Sequence, residues 1–321
     1  FVAVLCGYLL GISNSSDIVR FLFFSPSVST IGRMFNDQAL YTKLNHRQRK
    51  RVLRLLKKIR QNPSRYLFAI DDTLISHWGK NIWGTYHWSD HGKRTVWGHK
   101  LLVVGVVDTK RKVFIPIFWE ILHREGLSEK EIHEKNWEVA LRLLDDTVSS
   151  GFPRLPLVAD SGFSGNEFIN TLIDKGYDFV LEIQSKRKVL FHGKQHLDES
   201  VFSFFSNRFR HKIMYLNRPK WAVSATLKLK GLAKKLKVVA VANKKGLVHE
   251  CFSYYISNRL TWDPTKIWGI ARDRWAIEVH FRDLKQNFTL GKAAVRSKQG
   301  VETSISISMI ALTVIRLDNN S

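Results

Sequence analysis

The chain has 321 residues, with 51 Lys+Arg against 28 Asp+Glu and a formal net charge of +23. Its 44% hydrophobic and 12% aromatic content is enough for a substantial core, which excludes a wholly disordered chain. Two distant cysteines, Cys6 and Cys251, exclude a disulfide-stapled secreted domain and fit a reducing compartment. The charge calls for a polyanion, with nucleic acid first and an acidic membrane surface second.

The apolar start, Phe1 to Leu10, meets polar Ser13-Asn14-Ser15-Ser16-Asp17 before the roughly 20 residues that a transmembrane helix needs. No basic leader or small-residue cleavage site is visible. The segment reads as a buried helix, no later apolar run reaches spanning length, and the protein reads as soluble. Opening on Phe1 rather than Met reads as a fragment or a processed chain. Residues 1–40 read as short helices, with a turn at Ser25-Pro26 and a Ser or Thr N-cap before Ile31. A helix-turn-helix and a truncated remnant of one both stay open.

Between Arg47 and Arg60 eight of fourteen positions are basic, Arg51, Arg54 and Lys58 among them, and none is acidic. Val52, Leu55, Leu56 and Ile59 fall at i, i+3, i+4 and i+7, one apolar stripe on a basic helix. A solvated surface helix would read the same way, but this charge density suits phosphate contact. Asn62-Pro63-Ser64 breaks the helix. Tyr66 to Ile70 then reads as a buried strand whose tip carries Asp71-Asp72-Thr73. A loop with Trp78, Trp83 and Trp88 and glycines at 79, 84 and 92 follows. In it, His87 and His91 lack a third ligand for zinc. Val96 to Val107 is a second strand, and His99-Lys100 at its start sets a cation near the first. Val113 to Ile117 is a third strand, and Ser128 to Val148 a helix.

Leu155 to Asp160 is a fourth strand, again ending in a carboxylate. Asn166 to Lys175 is a helix closed by Gly176, and Tyr177 to Ile183 a fifth strand. The fold class is α/β: a mixed sheet, antiparallel first and parallel later, flanked by helices. From Lys186 to Lys245 the character changes, with 16 Lys+Arg against two acids. Alternating segments such as Trp221 to Lys230 and Lys237 to Val241, with a turn at 243–246, read as a basic β-rich insertion. Ile267 to about Gln286 returns to helix, and a last apolar helix runs from about Ser304 to Leu317. The domains read as 1–62, a helical basic region; 63–184, the first part of the core; 185–265, the insertion; and 266–321, the C-terminal helices.

Carboxylates at neighbouring strand ends repel unless a cation lies between them, and oxygen ligands suit Mg2+ or Mn2+. On the late helix Arg274, Glu278 and Lys285 lie within about 40° of one face at 100° per residue. Glu278 is therefore a third carboxylate candidate, although a salt-bridge ladder gives the same pattern. No Gly-x4-Gly-Lys-Ser/Thr loop occurs, so no nucleotide cofactor is expected.

These residues resemble the DDE transposases of bacterial insertion sequences, with an RNase H-like core. Ala69-Ile70-Asp71-Asp72-Thr73 looks like their first strand, and Val158-Ala159-Asp160-Ser161-Gly162-Phe163 like the second acidic position. The run Arg272 to Lys285 is similar to the Tyr-x2-Arg-x3-Glu-x6-Lys signature of one branch. Its tyrosine position falls on Ala271, a departure that bears on the tyrosine's own contribution. That branch also carries a β-strand insertion between its second Asp and its Glu. Strand alternation alone does not choose between Asp71 and Asp72; the resemblance favours Asp72, directly before Thr.

The resemblance implies that Asp72, Asp160 and Glu278 are catalytic and hold two Mg2+ or Mn2+ ions. These ions would cut DNA at element ends and join the freed 3′-OH to target DNA. It implies DNA contacts from Arg274, Lys285, Arg51, Arg54 and Lys58. A base stacked on Trp221, or on Trp262 or Trp268, is implied too, against the plainer reading of core aromatics. A homodimer in a synaptic complex, in the cytoplasm at the bacterial nucleoid, is the implied setting. An inactive DNA-binding protein and an RNase H-like nuclease without strand transfer are the alternatives.

Overall fold

The structure is a computed structural model that describes residues 5, 7, 8, 12, 17, 18, 27–79, 81–90, 94–123, 134–184, 186–190, 211–215, 218–242 and 253–318. The rest of the apolar start, His91, the predicted helix start near Ser128 and the turn at 243–246 lie outside these residues. The chain forms two compact units: residues 1–62, 71–152 and 276–321, and residues 63–70 and 153–275.

In the first unit, α1 (Val28–Phe35) starts at Ser27, whose Oγ accepts the Thr30 N–H, the expected cap. Helix α2 (Gln38–Gln61) is capped by Asp37, which accepts from Ala39 and Leu40. Its predicted stripe is the buried one: Val52, Leu56 and Ile59 are buried and Leu55 half-buried, while Lys57, Lys58 and Arg60 are exposed.

Strand β1 (Tyr66–Ser76) spans 11 residues, longer than the sequence suggests, so Asp71 and Asp72 lie mid-strand and not at its tip. The reason lies on β3 (Arg94–Asp108). Gly98 there has no Cβ, and one would stand 1.9 Å from the Ile75 carbonyl oxygen. The two strands therefore close together, and the His77 N–H reaches the Trp97 carbonyl at 2.9 Å. The aromatic loop is also more ordered than expected. Tyr86–Asp90 forms β2, antiparallel to β3 with Tyr86 opposite Gly98. Trp88 Nε1 donates to the Gly98 carbonyl at 3.0 Å, an anchor that a Gly- and Trp-rich stretch does not advertise locally. Strand β4 (Val113–Leu122) pairs antiparallel with β3, and α3 (Asn136–Ser149) packs on both.

In the second unit β5 (Leu157–Ala159) runs parallel to the first part of β1, which belongs to this unit up to Ile70, with Ile70 opposite Ala159. It also runs parallel to β6 (Phe179–Ile183). Helix α4 (Asn166–Asp174) connects these two strands and ends at Gly176, which takes φ +73°, a conformation glycine adopts without strain. The switch from antiparallel to parallel pairing is the one expected. Beyond β6 come β7 (Val189–Leu190), β8 (His211–Tyr215), β9 (Arg218–Leu229), β10 (Leu236–Ala242) and β11 (Ser253–Ser257). All pair antiparallel, in the order β6-β11-β10-β9, with β7 and β8 both on β9.

The helix expected over 267–286 is two helices. Helix α5 (Pro264–Asp273) closes the second unit, and α6 (Trp275–Asn287) opens the return to the first. Arg274 keeps helical angles, φ −54° and ψ −32°, but its N–H goes to the Arg272 carbonyl. The i to i−4 ladder is broken there.

The final helix, α7 (Lys298–Asp318), corrects the reading that no later run reaches spanning length. Lys298–Leu317 is long and apolar enough to cross a membrane, yet 72% of its window is buried within the protein. Thr303, Ser304, Ser306, Ser308 and Thr313 interrupt its apolar residues, which hid the run in the sequence, and all five are buried. The helix packs on α1, α2 and β4. Gln48 of α2 donates to Thr313 Oγ1 at 3.1 Å. Each buried Ile or Met on α7 contributes about 1.5–3 kcal/mol.

Candidate active site

The burial of β1 alternates from Asp71 onward: Asp71, Thr73 and Ile75 are buried, Asp72 and Leu74 half-buried. Asp71 turns inward and accepts the Asp72 N–H at 2.9 Å. Asp72 turns to the accessible face, where its Oδ2 meets Lys100 Nζ at 2.9 Å. Lys100 is the cation that the His99-Lys100 pair was expected to set near the first strand. Its Nζ also lies 5.8 Å from the centre of the Trp88 ring, a cation–π contact.

His99, one residue earlier, points to the opposite face. Its Nε2 donates to the Trp83 carbonyl at 2.7 Å. Nδ1 is left to accept from His77 Nε2 at 2.8 Å. Burial lowers the His99 pKa from 6.5 to about 4, with the charges of His77 and His123 adding to it and the Trp83 bond opposing it.

Asp160 directly follows β5. It caps the tight turn Ser161–Phe163, Oδ1 accepting the Gly162 N–H at 2.9 Å. At this carboxyl end of β5 and β6 lies a cavity of about 370 Å³, with Ser161, Glu182, Gln184, Lys186, Ser253 and Tyr254 on its walls. Ligands of open α/β sheets gather at such strand ends. Burial raises the phenol pKa of neighbouring Tyr255; the Ser253 hydrogen bond and the Arg274 charge oppose that rise, and Glu182 adds to it.

Glu278 lies in the first turn of α6 and Lys285 in its last, both half-buried. Arg274 is the C-cap of α5. Asp72, Glu278 and Lys285 therefore belong to the first unit, and Asp160 and Arg274 to the second. Lys58 is exposed on α2, and the Arg51 and Arg54 side chains lie outside the described residues. Trp221 is half-buried on β9, opposite Ala242 of β10 and Lys212 of β8. Trp268 is buried with the Arg272 guanidinium 4.9 Å from its ring, the core reading. Trp262 carries Lys266 Nζ at 4.4 Å.

The sequence reading missed a network behind Glu278. Arg316 of α7 donates to His280 Nδ1 at 2.8 Å, to the Phe114 carbonyl at 3.0 Å and to Asp283 Oδ2 at 2.7 Å. No local pattern links residues 36 positions apart.

Asp72, Asp160 and Glu278 offer carboxylate oxygens, the donors that Mg2+ and Mn2+ prefer, and Asp72 already holds a cationic partner. Among the described residues, no group of three or more His, Cys, Asp or Glu stands as a ready ligand set. The donor chemistry fits a divalent ion, and Lys100 Nζ already neighbours one of the Asp72 oxygens.

A mixed sheet with parallel strands β1 and β5, flanked by helices, defines the class as α/β. Residues 27–201, over half of the chain, match the family model described as DDE superfamily endonuclease, and the chain belongs to that superfamily. No curated protein matches. The cryo-EM structure of the piggyBac transposase synaptic complex with hairpin DNA is similar at 11% identity and TM-score 0.44, over 79% of this chain and 48% of that one. The crystal structure of the Mos1 Strand Transfer Complex is similar at 14% identity and TM-score 0.21, over 51% of this chain and 48% of that one. The chain thus spans about half the length of either.

Proposed function

We propose that the chain is a metal-dependent DDE transposase of the insertion-sequence branch. It cleaves DNA at element ends and transfers the freed 3′ end to target DNA. The observation that carries this reading is the parallel register of β1 and β5. Ile70 and Ala159 are partners, and each directly precedes a carboxylate, Asp71-Asp72 in one strand and Asp160 in the other. Asp72 is the ligand of the first pair, because it is the accessible one and Asp71 is buried.

Asp72, Asp160 and Glu278 would hold the divalent ions, which supply Lewis-acid activation of water and stabilise the leaving 3′ oxygen. The Lys100 ammonium, 2.9 Å from Asp72 Oδ2, orients that carboxylate. Arg274 and Lys285 hold phosphates beside the cut, Arg through a bidentate fork and Lys as a point charge. Arg51, Arg54, Lys58 and the basic insertion hold the flanking duplex, and Trp221 offers a stacking face for an unpaired base. The active form is a homodimer on DNA at the bacterial nucleoid. A nuclease that cuts without joining is the second reading, favoured by the endonuclease description of the family.

The test is Mg2+-dependent cleavage of element-end DNA by Asp72→Asn, Asp160→Asn and Glu278→Gln, with Asp71→Asn beside them. The first three are expected to abolish cleavage with DNA binding retained, and Asp71→Asn to cut. A triad variant with near wild-type cleavage loses its place in the site. Joined target products separate the transposase from the nuclease.

A further inference from the structure

Helix α6 carries chemistry on one face and an unusual anchor on the other. At about 100° per residue, Glu278 and Lys285 fall about 20° apart, while Asp283 and His280 lie about 140° and 200° from Glu278. Both anchor groups meet one guanidinium. Arg316, on α7, is 11% exposed and spends its donors on His280 Nδ1, Asp283 Oδ2 and the Phe114 carbonyl of β4. Three elements of one compact unit are thereby tied at a single point.

The arrangement is an expensive way to stabilise a core. His280 is fully buried, edge-on to Phe114 with ring centres 5.1 Å apart. Because Nδ1 accepts from Arg316, the ring proton sits on Nε2, which has no hydrogen-bond partner among the described residues. A buried charge and an unpaired buried N–H both oppose stability, and apolar replacements of such networks are often neutral or stabilising. A planar, three-way guanidinium contact does what apolar packing does poorly: it sets the rotation and the height of a helix.

We propose that Arg316, acting through His280 and Asp283, is a positioning residue that fixes the rotation of α6 and so aims Glu278 and Lys285. The proposal rests on the assignment of Glu278 above. Partners that orient a metal ligand from behind are worth about 10–100-fold in metal affinity or activity.

The experiment compares the full chain with Arg316→Lys, the apolar double variant Arg316→Met/His280→Phe, Asp283→Asn and Glu278→Gln. The readouts are melting temperature, DNA affinity, calorimetric Mn2+ binding and the Mn2+ dependence of cleavage. Arg316→Lys and the double variant are expected to fold and to bind DNA within about twofold of wild type. Their Mn2+ midpoint should rise, and kcat fall, about 10–100-fold. Asp283 is half-exposed, so Asp283→Asn keeps the fold if the double variant does not, and it should shift the midpoint in the same direction. Folded Arg316 and Asp283 variants with wild-type Mn2+ midpoints overturn the proposal, while loss of cleavage in Glu278→Gln leaves the site assignment standing. Wild-type cleavage and Mn2+ binding in Glu278→Gln overturn both.

Discussion

Acidification should destabilise this protein through His99. His99 is 1% exposed, and its neutral ring is already committed at both nitrogens, donating to Trp83 and accepting from His77. A second proton would have to enter at Nδ1, against the His77 N–H. Burial accordingly moves the pKa from 6.5 to about 4. The unfolded chain takes up this proton near pH 6.5 and the folded chain only near pH 4. Between those values protonation favours unfolding, so the stability is complete above pH 6.5 and drains as pH falls toward 4. The difference of 6.5 − 4 = 2.5 pH units, at about 1.4 kcal/mol per unit, amounts to about 3–4 kcal/mol in full, of which about 3 kcal/mol is lost by pH 4. Burial lowers the pKa of His77 and His280 too, and both add in the same direction. His99→Gln isolates the one group, because its amide keeps a donor for Trp83 and an acceptor for His77. Urea unfolding at pH 8, 6.5, 5 and 4 should show wild type losing about 3 kcal/mol more than His99→Gln over that range. Parallel curves for the two proteins would refute the argument.

Two further substitutions probe the surroundings of Asp72. Gly98→Ala forces a Cβ to 1.9 Å from the Ile75 carbonyl oxygen, a backbone atom that cannot swing aside. It should cost about 3 kcal/mol or more by urea unfolding, and a cost under about 1 kcal/mol would show that β1 and β3 do not approach so closely. Lys100→Met removes the partner of Asp72 from a pair whose side chains are 21% and 26% exposed. Such a partly solvated pair contributes about 1 kcal/mol or less; a loss near 3 kcal/mol in the same assay would mean that the pair behaves as a buried one.

Much of the local structure is legible in the sequence alone. The stripe Val52, Leu55, Leu56 and Ile59 marked the buried face of α2, because helical periodicity and burial are one fact seen twice. A Ser or Thr before Ile31 marked a helix start, which the structure places at Ser27, and Gly176 marked a helix end through a permitted positive φ. The apolar segments around Ile70 and Val158 and the carboxylates that follow them were visible as buried strands with charged continuations. The charge of +23 pointed to a polyanion, since like charges on a folded chain repel.

Other features come from residues remote in sequence, where periodicity carries no information. Strand β1 runs on past its two aspartates because Gly98, on another strand, leaves room for the Ile75 carbonyl. The choice of Asp72 as the accessible carboxylate follows from which face of β1 is covered, and alternation alone leaves that sign open. The break at Arg274 divides a helical pattern that is continuous in sequence. Arg316 reaches His280 and Asp283 only because α7, polar-spotted enough to disguise its apolar run, is buried beside α6. The amino-acid sequence determined the elements, the charge and the carboxylates. Tertiary packing decided which carboxylate is accessible, which cation meets it and what holds the glutamate helix in place, because each of these depends on contacts between distant residues.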